Sequence, residues 1–270
     1  MAAWTFQHQV DANMVVGAQT ITLTGLTGNV AIGDVVFLYA IGASASPGST
    51  WNVPAGFLPV GPYLRGTGYY PGTGAGESLM QVWYREMTTV PASLAVTWSG
   101  PIAAFWNTGW FNYRPPSPSD MAIYTDSGGF RAWPGSAAPY TPASITIPTD
   151  ANVHILVGKG PDPVSISVAN GHTQLSQTNV TTNVTRMYVW NGGKHEPTAG
   201  AVTMPTLVNQ PPSTAVAQWV HRAFAFGTPV PEEHYWELCT GGADTGTAGA
   251  ASMTLPNGAD IDYADPCEVC

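Results

Sequence analysis

The chain says the same thing twice. The first passage runs Gly33-Asp34-Val35-Val36-Phe37-Leu38-Tyr39, Pro54-Ala55-Gly56-Phe57, Met80-Gln81-Val82-Trp83, Leu94-Ala95-Val96-Thr97-Trp98 and Ala104-Phe105-Trp106. The second answers in order with Ala151-Asn152-Val153-His154-Ile155-Leu156-Val157, Asn170-Gly171-His172, Met187-Tyr188-Val189-Trp190, Gly200-Ala201-Val202-Thr203-Met204 and Ala217-Gln218-Trp219-Val220. Matching blocks lie about 105 to 120 positions apart, the drift that altered loop lengths produce between duplicated halves. Two copies of a unit that cannot close its own apolar face imply one body built from both, with halves at about 33–114 and 151–226.

The unit is a β-unit. Ile21 and Leu23, Leu94, Val96 and Trp98, Ile145 and Ile147, Val153, Ile155 and Val157, and Val164, Ile166 and Val168 alternate with period two. Turn residues bound each run, among them Gly25 to Asn29, Thr149 to Asn152 and Gly160 to Pro163. No window has a convincing helical period. Four strands per copy predict an all-β protein, a two-sheet antiparallel β-sandwich of jelly-roll-like connection, with an immunoglobulin-like sandwich as the alternative. Arg114-Pro115-Pro116-Ser117-Pro118-Ser119-Asp120 reads as the crossover between halves, because proline removes donors and restrains its predecessor. Gly42 to Glu77 reads as a long irregular segment, and such segments are often functional. The sandwich is expected over 1–230, with 231–270 as a C-terminal extension.

Charge is divided unevenly along the chain. Residues 1–230 hold all eight Lys and Arg against nine Asp and Glu, whereas 231–270 hold eight acids and no Lys or Arg. A body this close to neutral offers no stripe for phosphates, so nucleic acid is not an expected partner. Met1-Ala2-Ala3-Trp4 opens without a basic and apolar leader, and the longest apolar run, Val35 to Ile41, is too short to cross a bilayer. Cytosolic synthesis without membrane insertion is therefore expected. The three Cys, at 239, 267 and 270, all fall in the extension and do not staple the sandwich.

Site chemistry is sparse. The six His show no paired metal-ligand spacing, and His154 and His221, inside strand patterns, read as surface or hydrogen-bonded core residues. Cys267 and Cys270 are half of a zinc knuckle, so no metal or other cofactor is expected. No G-x-S-x-G is present, and Gly72 to Gly76 lacks the lysine of a phosphate loop. Glu77, Glu86, Asp120 and Asp126 are carboxylates that nothing pairs across a cleft. No catalytic residue is assigned, and the chain is not expected to be an enzyme.

The aromatic residues carry more information. Trp51, Phe57, Tyr63, Tyr69 and Tyr70 fall in the irregular segment, where they either pack onto the sandwich, anchor a protein partner or contact a glycan. Trp83, Trp98 and Trp190 lie in strands and belong to the core. In the extension, Tyr235, Trp236, Asp260, Asp262 and Tyr263 combine charge with apolar anchors, the composition of a docking segment.

The order Gly33-Asp34, Pro54-x-Gly56-Phe57, Val82-Trp83-Tyr84-Arg85 and Pro91 through Gly100, closed by an aromatic strand, resembles the sandwich domains of minor tail proteins of phages that infect actinobacteria. The similarity spans about 18–227, and members of that family also echo their first half in a second. Here His172 stands where an aromatic would follow the glycine, and the extension lies outside the pattern. The resemblance implies a virion structural protein at the tail tip or surface, made in the host cytoplasm, with other tail proteins as partners, homo-oligomerisation and a host-surface glycan as further expectations, and no catalytic residues. A glycan-binding module and a capsid decoration protein are the alternatives.

Overall fold

The run Val35 to Ile41 is apolar at every position, which a strand with one wet face cannot be. In the computed structural model it is the middle of a strand buried on both sides. The structure describes residues 4–12, 15–16, 20–44, 48–68, 76–100, 104–116, 121–133, 141–160, 164–165, 171–181, 186–206, 208–209, 217–229, 251–254 and 260–263. The chain divides into two units, Met1–Pro229 and Val230–Cys270. All regular structure among the described residues is antiparallel strand, and the fold is an all-β sandwich.

The first half holds β1 (Thr5–Asp11), β2 (Val15–Val16), β3 (Thr20–Leu23), β4 (Val35–Ser44), β5 (Thr50–Asn52), β6 (Leu58–Pro59), β7 (Leu64–Gly68), β8 (Gly76–Glu86), β9 (Leu94–Ser99) and β10 (Ala104–Arg114). The second holds β11 (Ala122–Trp133), β12 (Ile145–Ile147), β13 (Ala151–Gly160), β14 (Val164–Ser165), β15 (Thr173–Thr181), β16 (Arg186–Glu196), β17 (Gly200–Val202), β18 (Val208–Asn209) and β19 (Ala217–Gly227). The extension carries a separate pair, β20 (Ala251–Thr254) and β21 (Asp260–Tyr263). The stretch Gly42 to Glu77 is thus not one irregular segment. It contains β5, β6 and β7, which are too short and too rich in Gly and Pro to show a period.

The sandwich is deeper than an eight-strand jelly roll. Among the described residues no strand of one half pairs with a strand of the other. Each half builds a large sheet, ordered β1-β10-β4-β8 with β6 and β7 on β8 in the first, and β11-β19-β13-β16-β15 in the second. A small sheet, β3-β9-β5 or β12-β17, covers the outer face of each. The two large sheets meet by their inner faces through Phe37, Tyr39, Val82, Phe111, Leu156, Val189, Phe224 and Phe226. In β4, Val35, Phe37, Tyr39 and Ile41 face inward, whereas Val36, Leu38 and Ala40 face the small sheet. Two apolar faces on one strand require four layers instead of two.

The sheet orders match strand for strand, with β1, β10, β4, β8 and β7 answering β11, β19, β13, β16 and β15. Trp83 and Trp190 both lie on outer faces, and Val82 and Val189 both on inner faces. Trp83 pairs with Leu38 and Trp190 with Val157, so Leu38 corresponds to Val157. Aligning Leu38 with Leu156, as the block comparison does, is one residue out and would exchange the faces of the strand. Gly56 and Gly171 both have positive φ, 85° and 74°, and Phe57 and His172 after them are both buried. The histidine therefore keeps the turn. β7 lies against β11 and β1 against β15, the reciprocal contacts that a pseudo-two-fold axis generates.

Turns set the strand entries. Asp34, 1% exposed, accepts from the Ala31 amide (2.8 Å), Asn112 Nδ2 (2.8 Å) and Arg114 Nε (2.7 Å). It thereby ties the start of β4 to the end of β10.

Separate fragments 1–116 and 121–229 would each expose an inner face covered with large apolar side chains. Each is expected to be unfolded or aggregated alone and to regain native-like near-ultraviolet circular dichroism when the two are refolded together. Cooperative unfolding of either fragment by itself would contradict the interdependence.

Candidate functional site

Two of the aromatic residues considered as partner or glycan contacts are packed inside. Trp51 is 4% and Phe57 8% exposed, both within the cluster between the first large sheet and its small sheet. Trp51 meets Trp98 edge-on at 5.3 Å and Trp83 at 6.3 Å. Their rings are therefore unavailable as surface contacts, because β5 pairs with β9 and turns Trp51 into the layer. Tyr63 is half-buried. Its ring stacks on Trp51 at 6.1 Å, the Arg65 guanidinium lies 5.5 Å from its centroid, and its hydroxyl donates to the Trp51 carbonyl at 3.2 Å. Tyr69, Tyr70, Tyr235 and Trp236 lie outside the described residues. Asp260, Asp262 and Tyr263 are on β21, where Asp260 pairs with Thr254, Asp262 with Ser252 and Tyr263 with Ala251.

The polar feature of the body is a chain of hydrogen bonds through the seam between halves. The Tyr113 hydroxyl lies 3.3 Å from His154 Nδ1, and His154 Nε2 bonds Asn191 Oδ1. Asn191 Nδ2 donates to Gln9 Oε1 at 3.0 Å, Gln9 Nε2 donates to Asp11 Oδ1 at 2.8 Å, and the Tyr39 hydroxyl donates to the same carboxylate oxygen. Since Asn191 Oδ1 only accepts, His154 carries its proton on Nε2 and accepts from Tyr113 at Nδ1. Every donor in the chain therefore points toward Asp11. His154 is fully buried and stacked on Phe111 at 4.1 Å, with Phe224 at 5.4 Å. Burial lowers its pKa from 6.5 to about 3, and burial lowers that of His221 to about 4. Burial first, then the Asp11 carboxylate, pushes the Tyr39 phenol up. The hydrogen-bonded core reading of His154 is the one the geometry supports. Gln9 and Asp11 were not legible, because β1 lies outside the repeated blocks.

A second polar pin crosses the same seam. Arg222, fully buried on β19, donates to Asp126 of β11 and to the Pro62 carbonyl of the first half. Gly61 (φ 65°) brings its backbone so close that a Cβ there would collide with Arg222 and Asp126. Asp126 is thus held by an arginine. Glu77 and Asp120 have no described side chains. Among the described residues no group of three His, Cys, Asp or Glu is placed to hold a metal ion, and no helix is long and apolar enough to cross a membrane.

The two ends of the body differ. Ile41 lies by Gly158, while Phe37 meets Phe224 and Phe226, so equivalent strand ends of the two halves share an end. At one end Ser44 pairs with Glu77 and Ala104, and Trp133 with Ala217. Gly68 pairs with Gly76 and Thr181 with Arg186 at that end as well. At the other end lie the turns 24–34, 53–57, 87–93, 148–150 and 197–199, and Gly227, after which the chain leaves the body. Both exposed large apolar residues among those described, Ile32 (74%) and Leu58 (56%), sit at this second end.

A histidine whose pKa falls on folding binds fewer protons than in the unfolded chain, so stability is full above pH 6.5 and declines as pH drops toward 4. Each group steepens the decline by up to about 1.4 kcal/mol per pH unit. His154→Gln is expected to roughly halve the slope measured by urea unfolding over that range, and an unchanged slope would remove His154 from it. Gly61→Ala is expected to cost about 1–3 kcal/mol in the same assay, because both the positive φ and the close approach are lost. Comparison of the chain with protein-family models, with curated proteins and with solved structures finds no match.

Proposed function

We propose that the chain is a structural component of a phage virion, a minor tail protein at the tail tip or on its surface that works through protein-protein contacts. The carrying observation is the polarity of the body. The chain departs toward its acidic extension from the end that also exposes Ile32 and Leu58, and the paired strand ends Ser44–Glu77, Gly68–Gly76 and Thr181–Arg186 lie at the opposite end. This arrangement suits a module held at one end and presented at the other. The motifs that resemble phage tail sandwiches act here as scaffold: Gly33-Asp34 starts β4, Gly56 turns into β6, and Trp83 and Trp98 fill the outer layer. None of them supplies chemistry, in keeping with a structural role. Attachment through the extension follows from its charge, since eight acids without Lys or Arg steer it to a basic neighbour.

Deletion of residues 231–270 is expected to leave the body folded and to reduce its incorporation into assembling virions at least tenfold, as read by immunoblot of purified particles. Normal incorporation of the folded truncation would move attachment to the body. Immunogold labelling that decorates capsids instead of tails would replace the tail reading with that of a decoration protein.

A further inference from the structure

One sheet edge differs from the others. The first large sheet ends in β1 on one side and in β6 and β7 on the other, and the second ends in β15 and β11. An edge strand presents unpaired amides and carbonyls, and soluble proteins blunt such edges with proline, bulges, charge or short length. β1 has a bulge between Phe6 and His8, β15 has one between Gln174 and Ser176, β6 ends on Pro59, and β7 carries the exposed Arg65. In β11 the bulge falls near the start, between Ile123 and Thr125, and the strand then runs regularly from Thr125 to Trp133 without proline or lysine. Among the described residues its backbone pairs with β19 alone.

The middle of that run is open to water. Gly128 is exposed, although a Cβ there would collide with Leu64 of β7. A glycine has only backbone to expose, so the peptide groups of the edge itself are accessible. β7 lies against β11, and β6 and β7 share the free side of β8, so the two edges form one side wall of the body. Leu58 of β6, 56% exposed, stands on that wall. An open strand edge and an exposed leucine thus coincide. Charge does not set this surface against a like one, because Asp126 is neutralised by Arg222 and residues 1–230 hold eight Lys and Arg against nine Asp and Glu.

We propose that this wall pairs with its counterpart on a second copy of the chain, β11 running antiparallel to β11 about a two-fold axis. Such a pair is self-complementary, since each open edge is satisfied by another of the same kind. With Gly128 opposite its own counterpart, no side chain stands at the axis, and the two Asp126 positions fall about 14 Å apart along the pair. The regular run of β11 is about 30 Å long, and two sheets about 10 Å apart, with their side chains, make a wall about 20 Å wide. Joining two such walls removes about 1,200 Å² from water, within the range of specific interfaces. The inference goes beyond the virion reading and holds whether or not that reading does.

Sedimentation equilibrium of the full chain is expected to show a monomer–dimer equilibrium. Hydrogen exchange read by mass spectrometry above and below its midpoint is expected to slow at least tenfold in the dimer for peptides covering Thr125 to Gly129, and to leave Ser176 to Thr181 of β15 unchanged. Ser127→Lys brings like charges together across the axis, and Leu58→Glu places a charge in the wall. Each is expected to weaken dimerisation at least tenfold with the near-ultraviolet circular dichroism unchanged. A chain that stays monomeric up to millimolar concentration would overturn the proposal, as would a dimer whose β11 amides exchange as they do in the monomer, or equal dimerisation by both folded variants. Because exchange is read on the unsubstituted chain, it decides the question even where a variant fails to fold.

Discussion

The structure depends on the inner faces of its two large sheets meeting. Phe37 stacks on Phe111 at 5.1 Å and lies 5.2 Å from Phe224 and 4.8 Å from Phe226, so a ring from β4 is surrounded by rings from its own sheet and from the opposite one. Because that face is buried, the small sheets must cover the other, and four layers follow. Truncating one such ring costs about 3–5 kcal/mol, a large share of the stability of a domain. The seam is not purely apolar. The hydrogen-bond chain from Tyr113 to Asp11 and the bond from Arg222 to the Pro62 carbonyl are complete only when both halves are present, so they fix register where aromatic packing alone tolerates sliding.

Much of this was legible. The repeat, the strand class and the core role of Trp83, Trp98 and Trp190 follow from patterns of period two and from turn residues. The number of layers did not follow, although Val35 to Ile41 carried the signal: an apolar run without alternation marks a strand with no wet face. Short strands such as β5 and β6 escaped because two or three residues cannot show a period. For the same reason Trp51 and Phe57 could be assigned neither to packing nor to a surface contact. Once β5 is known to pair with β9, Trp51 has no route to the surface.

Polar positions were the least legible. His154 could be read as a core residue, but its partners come from β10, β16 and β1, which are remote in sequence and joined only by the fold.

The central claim is that the halves form one cooperative body across an aromatic and hydrogen-bonded seam. Native-state hydrogen exchange tests it most directly, because it reports the opening free energy of each strand. The slowest amides of β4 and β13 are predicted to share one opening free energy, equal to that of global unfolding. If β13 opens at a distinctly lower free energy while β4 stays protected, the halves are independent and the seam does not hold them together.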